Sequence, residues 1–271
     1  MYNKKFKVIE DEGLRDRIKR TADVVSQVRY LEGKKETPLF RDPFAHLFVS
    51  AEAEQMLMQG LTRWPFFADY LSAREKFFDE QLKAVFKEEF LTQLVILGSG
   101  NDMRAERLPF LKDKKTFEVD LPDKMAAKTA LLIKTFGKLP GQVTYVKADV
   151  SQPGFMNSLK QKGFDQKRKT AFLLQGLIYY LKPEGVDNLF NELTNVFKPG
   201  DSLLLDHTTE DMSQTKPYPN DLVQYLSEKE FLVTHQTSLG DLTAQYFGKG
   251  YPEKWWIVLA TKVLLIPHLI K

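Results

Sequence analysis

The sequence predicts an α/β fold: a doubly wound, mostly parallel sheet covered on both faces, with helical additions at the N-terminus. Three observations predict it. From Leu94 onward, short continuous apolar runs alternate with helix-length segments. Those runs lack two-residue alternation, so they read as strands buried on both faces. Ahead of them, about 90 residues show helical spacing.

The N-terminal part reads as three helices. Arg17 to Glu32 places Ile18, Ala22, Val25 and Val28 at three- and four-residue spacing, which suits one helix face. Gly33 and Pro38 punctuate it. Asp42-Pro43 is an N-cap followed by Pro at the first helical position, predicting a helix through Phe44 and Phe48. Ala68 to Phe90 is the third, with Leu71, Phe78, Leu82, Val85 and Phe86 on its apolar side. Strands follow at Leu94–Leu97, Thr116–Val119, Val143–Val146, Ala171–Leu174 and Ser202–Leu205. Helices are expected between them at Pro122–Phe136, Gly154–Lys162 and Pro183–Phe197. A helix at Asp221–Lys229 precedes two more strands, Phe231–Thr237 and Trp255–Val263. The expected division is a helical segment, residues 1–90, packed on a ligand-binding domain, residues 91–271.

Composition narrows the function. The chain has no cysteine, which excludes disulfides, thiolate nucleophiles and cysteine metal sites. A net charge of +3 on 271 residues does not argue for nucleic acid or a membrane surface. The N-terminal residues are charged throughout, with no apolar secretory region. The most apolar stretch, Trp255 to Ile270, is broken by Thr261, Lys262 and Pro267 and reads as a strand plus a tail. A cytoplasmic protein is expected. None of His46, His207, His235 and His268 has metal-ligand spacing to another, so no metal site is expected.

Gly98-Ser99-Gly100 directly follows the first strand. Glycines there let the backbone turn tightly and approach a ligand. Asp120 ends the second strand, in position to receive the two hydroxyls of an adenosine ribose. The third glycine of the dinucleotide fingerprint is replaced by Met103. A pyrophosphate needs that close helix approach, so the departure favours S-adenosylmethionine over NAD. Asp149 ends the third strand. It reads either as an acceptor for the adenine amino group or as an N-cap for the next helix.

Val95-Ile96-Leu97-Gly98-Ser99-Gly100-Asn101-Asp102-Met103-Arg104, leading to Phe117-Glu118-Val119-Asp120-Leu121-Pro122, resembles the leucine carboxyl methyltransferase family and its bacterial relatives associated with polyketide O-methylation. Weaker matches are Thr21-Ala22 with Glu32, Asp42-Pro43-Phe44-Ala45, Arg74 with Phe78-Asp79, and Gly176 to Leu181. The resemblance spans roughly residues 20 to 206. It implies a Rossmann-like class I methyltransferase sheet of seven strands, the last antiparallel. It also implies S-adenosylmethionine as donor, S-adenosylhomocysteine as product, and a carboxyl or hydroxyl oxygen as acceptor.

Position by position, the resemblance assigns Arg74 to the donor's methionine carboxylate. Gly98 and Gly100 line the methionine and ribose end, Asp120 takes the ribose hydroxyls, and Asp149 with Val150 faces adenine. An Arg suits a carboxylate because its fork makes two parallel hydrogen bonds. One position departs: the family usually has Glu where this chain has Gln175, and a Glu there holds the donor ammonium by charge. An amide keeps an acceptor oxygen without the charge. Asp102 and Arg104, also in the motif, read as an ion pair that holds the loop.

No residue stands out as the catalytic group; His207 after the fifth strand and Tyr180 are the candidates. A carboxylate acceptor is ionised already and needs no base, whereas a phenol or alcohol would use one. The acceptor, a small molecule or a peptide carboxylate, is expected to meet the N-terminal helices and the segment Thr208 to Asn220. Two alternatives remain: a binding protein that keeps the donor pocket without catalysis, motivated by Gln175, and an NAD(P)-dependent oxidoreductase on the same fold.

Overall fold

The computed structural model describes residues 21–87, 91–208, 218–251 and 255–262. Seven strands form one sheet: β1 (Leu91–Leu97), β2 (Lys115–Asp120), β3 (Val143–Lys147), β4 (Lys169–Leu174), β5 (Ser202–Thr208), β6 (Phe231–Ser238) and β7 (Trp255–Lys262). Their order is β3-β2-β1-β4-β5-β7-β6. The first five are parallel, and β7 runs antiparallel between β5 and β6. Because β7 is reversed, Trp255 at its start lies opposite Thr208 at the end of β5. The start of β7 therefore sits on the same sheet edge as the C-terminal ends of the parallel strands. In a doubly wound sheet that edge carries the ligand.

Residues 21–34 form helix α1. Then come α2 (Ala51–Arg63), α3 (Phe67–Lys87), α4 (Arg104–Arg107), α5 (Pro122–Phe136), α6 (Phe155–Gln161), α7 (Pro183–Val196), α8 (Leu222–Glu228) and α9 (Leu239–Phe247). On one face of the sheet, Phe155, Leu159, Val186, Leu189, Phe190 and Leu226 pack on Val95, Phe117, Phe172 and Leu203. On the other, Val24, Val28, Leu71, Phe78 and Leu82 of α1 and α3 join Leu94, Ile96, Leu173 and Leu204. The N-terminal helices thus share one hydrophobic core with the sheet, which fixes α1 and α3 over the site.

The structure departs from the sequence expectations in three places. Asp42-Pro43 opens only a single 3-10 turn, Ala45–Phe48, because Val49 turns extended and Ser50 starts a new helix. That helix, α2, was not expected, nor was α9; both begin at a serine whose side chain accepts a backbone N–H three residues on. The ends of the expected segments Arg17–Glu32, Ala68–Phe90 and Trp255–Val263 that fall at 17–20, 88–90 and 263 lie outside the described residues, as does most of Thr208 to Asn220. No described helix is long and apolar enough to cross a membrane.

Candidate active site

The β1–α4 loop, the ends of β2, β3 and β4, helices α1 and α3, and the start of β7 enclose a cavity of about 520 Å³. That volume falls in the range of small-molecule sites, roughly 300–1,000 Å³. Arg74, Gly98, Gly100, Asp120, Asp149, Val150, Gln175 and Tyr180 all line it; His207 does not. Sheet order lays these residues out in a line, from Asp149 beyond β2 to Trp255 beyond β5.

The glycine loop is held from both sides. Gly98 has φ +66°, and a Cβ there would stand 2.8 Å from Leu177 Cδ1, so the loop and the β4 loop touch where only hydrogen fits. Asp120 Oδ2 accepts from the Gly100 N–H at 2.6 Å, and Oδ1 accepts from the Leu121 N–H at 2.7 Å. Burial pushes this carboxyl upward against those two bonds. From α1, Arg29 donates to the Asn101 carbonyl at 2.7 Å, while the Asn101 side chain donates to Asp23 and Ser26.

Beneath the loop lies a buried ionic network. Arg104 is 1% exposed and donates to Asp102, Asp79, Glu75 and Gln175. Its pairing with Asp102, expected from the motif, is one contact among four. Burial alone would raise Asp102, but Arg104, Arg29, Arg107 and Lys128 bring it down to about 2. Arg107 pairs with Asp79, and Lys128 donates to Glu118 and to the Asp102 carbonyl. The Arg104 hub was not legible as such, since its partners on α3 come from a distant stretch of sequence.

Arg74 donates through Nη1 to Asp206 Oδ2 at 2.8 Å and to the Tyr179 hydroxyl at 3.1 Å. Its guanidinium carbon lies 5.7 Å from the Trp255 ring centroid. Arg74 Nε is buried without a hydrogen-bond partner among the described residues. Asp206, not singled out in the sequence, also accepts from the Gly176 N–H at 2.6 Å. Tyr180 packs on Tyr179 with ring centroids 4.8 Å apart and bonds Thr21. Burial holds both tyrosines in their protonated form. Asp149 Oδ1 accepts from the Ser151 N–H and hydroxyl, a local turn; helix α6 begins later, after Gly154. His207 sits on β5 one residue past Asp206, hence on the opposite face of the sheet. Burial lowers its pKa, outweighing the Pro219 carbonyl and the Asp206 charge, and neither ring nitrogen is in hydrogen-bond geometry with a described residue.

A family model described as leucine carboxyl methyltransferase matches residues 22–194, nearly two thirds of the chain, including the ends of β1 to β4 that line the cavity. The chain belongs to the leucine carboxyl methyltransferase family. A relative from Mycobacteroides abscessus, provisionally named an S-adenosyl-L-methionine-dependent methyltransferase, is 34% identical over 190 residues, covering 66% of this chain and 61% of its own. A relative from Mycobacterium tuberculosis with the same provisional name is 33% identical over 196 residues, covering 66% and 62%. The chain therefore spans about three fifths of the length of these relatives. The fold is shared with a DUF574 family protein from Streptomyces avermitilis, TM-score 0.64 at 13% identity, covering 90% of this chain and 97% of that one. It is shared also with a protein from Thermobifida fusca described provisionally as a methyltransferase, TM-score 0.60 at 16% identity, covering 80% and 90%. In this family member the fold is the expected Rossmann-like α/β sheet of seven strands, with the last strand antiparallel.

Proposed function

We propose that this chain is an S-adenosylmethionine-dependent O-methyltransferase whose acceptor presents a carboxylate. The observation that carries the donor reading is the convergence of Gly98, Gly100, Asp120, Asp149, Val150 and Arg74 on one cavity at the strand ends. The residues fit the donor chemically. Asp120 uses one lone pair on each oxygen for the loop and keeps the others for two ribose hydroxyls. Arg74 Nε is a buried donor without an acceptor among the described residues, suited to a carboxylate. The missing third glycine leaves Met103 where a pyrophosphate site needs close approach, which disfavours the oxidoreductase alternative.

The bound donor supplies a methyl group already activated on a sulfonium. Most of the protein's task is then to hold the acceptor oxygen in line and exclude water. Val25, Phe67, Leu71, Tyr180 and Trp255 supply an apolar wall for that purpose. Among the described residues, the titratable groups beside this wall include Arg74, Glu75, Asp206, Tyr179 and Tyr180. Asp206 is committed to Arg74 and the Gly176 N–H, and both phenols stay protonated. His207 faces away. Glu75 is tied into the Arg104 network, so among the described residues the base that an alcohol acceptor needs is lacking, and an acceptor ionised beforehand is favoured.

The test is incubation with methyl-labelled S-adenosylmethionine and fractionated small-molecule and peptide carboxylates. Label released as methanol by mild alkali is expected, since methyl esters hydrolyse. Alkali-stable label would point to an ether and a hydroxyl acceptor. No transfer to any fraction, with the donor bound, would favour the binding-protein alternative.

A further inference from the structure

Glu75 on α3 and Gln175 after β4 meet on the cavity wall. The Gln175 amide nitrogen donates to Glu75 Oε1, and its carbonyl oxygen accepts from Arg104 Nη2 at 2.7 Å. The same Arg104 nitrogen donates to Glu75 Oε2 at 2.6 Å. These contacts fix the amide's orientation, because a flip would set its oxygen against a carboxylate and its NH2 against a guanidinium. The Gln175 oxygen is therefore already engaged. A charged oxygen nonetheless stands on the wall beside it, belonging to Glu75.

Arg74 directly precedes Glu75, and both side chains line the cavity. Consecutive residues of α3 thus present a guanidinium and a carboxylate to one space. The head of an α-amino acid carries a carboxylate and an ammonium on one carbon and matches that pair.

We propose that Glu75, held in place by Gln175 and Arg104, is the anionic partner of the donor's α-ammonium, in place of the residue at position 175. The inference rests on the donor reading given above. The Glu75 contacts to Gln175 and Arg104 leave lone pairs free on its two oxygens. Burial would raise its pKa, but Arg104, Arg29, Arg74 and Arg107 outweigh that and keep it ionised. Gln175 and Arg104 are positioning residues in this scheme. An amide at 175 has a purpose as well: a second carboxylate there would face Glu75 in a buried site.

The experiment is calorimetric binding of three ligands: S-adenosylhomocysteine, its desamino counterpart with hydrogen in place of the α-amino group, and 5′-methylthioadenosine. Wild-type protein should prefer S-adenosylhomocysteine over the desamino ligand by at least about tenfold, the scale of a hydrogen bond to a charged group. Glu75→Gln should abolish that preference while leaving 5′-methylthioadenosine affinity within about twofold. A folded Glu75→Gln protein that keeps the preference overturns the proposal. If Glu75→Gln does not fold, Glu75→Asp replaces it, and an undiminished preference in that variant overturns the proposal equally. Absence of preference in the wild type does so without any variant. Failure of the wild type to bind any of the three ligands would instead remove the donor reading itself, and this inference with it.

Discussion

The Asp120 carboxylate accepts a 2.6 Å hydrogen bond from the backbone N–H of Gly100, tying the end of β2 to the loop after β1. This bond sets the distance between the two features that an adenosine site needs, a tight loop and an acid. It also keeps the acid at the cavity wall when burial would favour neutralising it.

Gly98→Ala should destabilise the protein by about 1–3 kcal/mol, because φ +66° disfavours any side chain and the new Cβ would press on Leu177. Gly137→Ala provides the comparison. Gly137 has φ +76° with nothing within 4 Å, so only the backbone strain, about 1 kcal/mol, is expected. Urea unfolding of both variants measures the difference. Equal losses would mean that the Gly98–Leu177 contact is easily relaxed.

Arg104→Met should be among the most damaging single substitutions, at roughly 3–5 kcal/mol. It leaves Glu75, Asp79 and Asp102 buried without their shared cation. Arg104→Lys should also be harmful, since an ammonium cannot reproduce a planar fork with four partners. Asp102 gives this network a pH signature. Its folded pKa of about 2 lies below the ordinary 3.8, so its contribution is complete above about pH 4. It is lost as pH falls toward 2. Chemical unfolding between pH 5 and pH 2, as approximate limits, should show Asp102→Asn losing that part of the acid dependence.

His207 should matter for stability and not for ligand binding. Burial lowers its pKa below 6.5, so the folded state carries it neutral while the unfolded chain takes up a proton. The stability of the wild type should therefore begin to fall as pH drops below about 6.5, and His207→Gln should remove that portion. S-adenosylhomocysteine affinity should stay within about twofold in the same variant. A larger change would place the imidazole on the ligand after all.

The sheet was legible because its strands are continuous apolar runs, and Pro122 and Pro183 mark helix starts with a fixed φ. The cavity lining was legible where one motif holds neighbouring chemistry: Gly98 and Gly100, then Asp120, then Asp149. Helices α2 and α9 were missed although Ser50 and Ser238 are ordinary caps; Ser238 with Asp241 three residues on was a readable start signal. The coupling of Glu75, Gln175 and Arg104 was not readable at all. Glu75 and Gln175 lie 100 residues apart, and their contact depends on where α3 crosses the sheet. His207, a candidate base in the sequence, lies off the cavity for a simpler reason: one step along the strand from Asp206 reverses the side chain.

Whether the cavity holds an adenosylated amino acid through Asp120 is decided by calorimetric titration of wild type and Asp120→Ala with S-adenosylhomocysteine, and of wild type with NAD. S-adenosylhomocysteine should bind, the variant should lose about 1–3 kcal/mol, and NAD should give no heat. Folded wild-type protein that ignores S-adenosylhomocysteine, or takes NAD instead, would contradict this reading of the cavity.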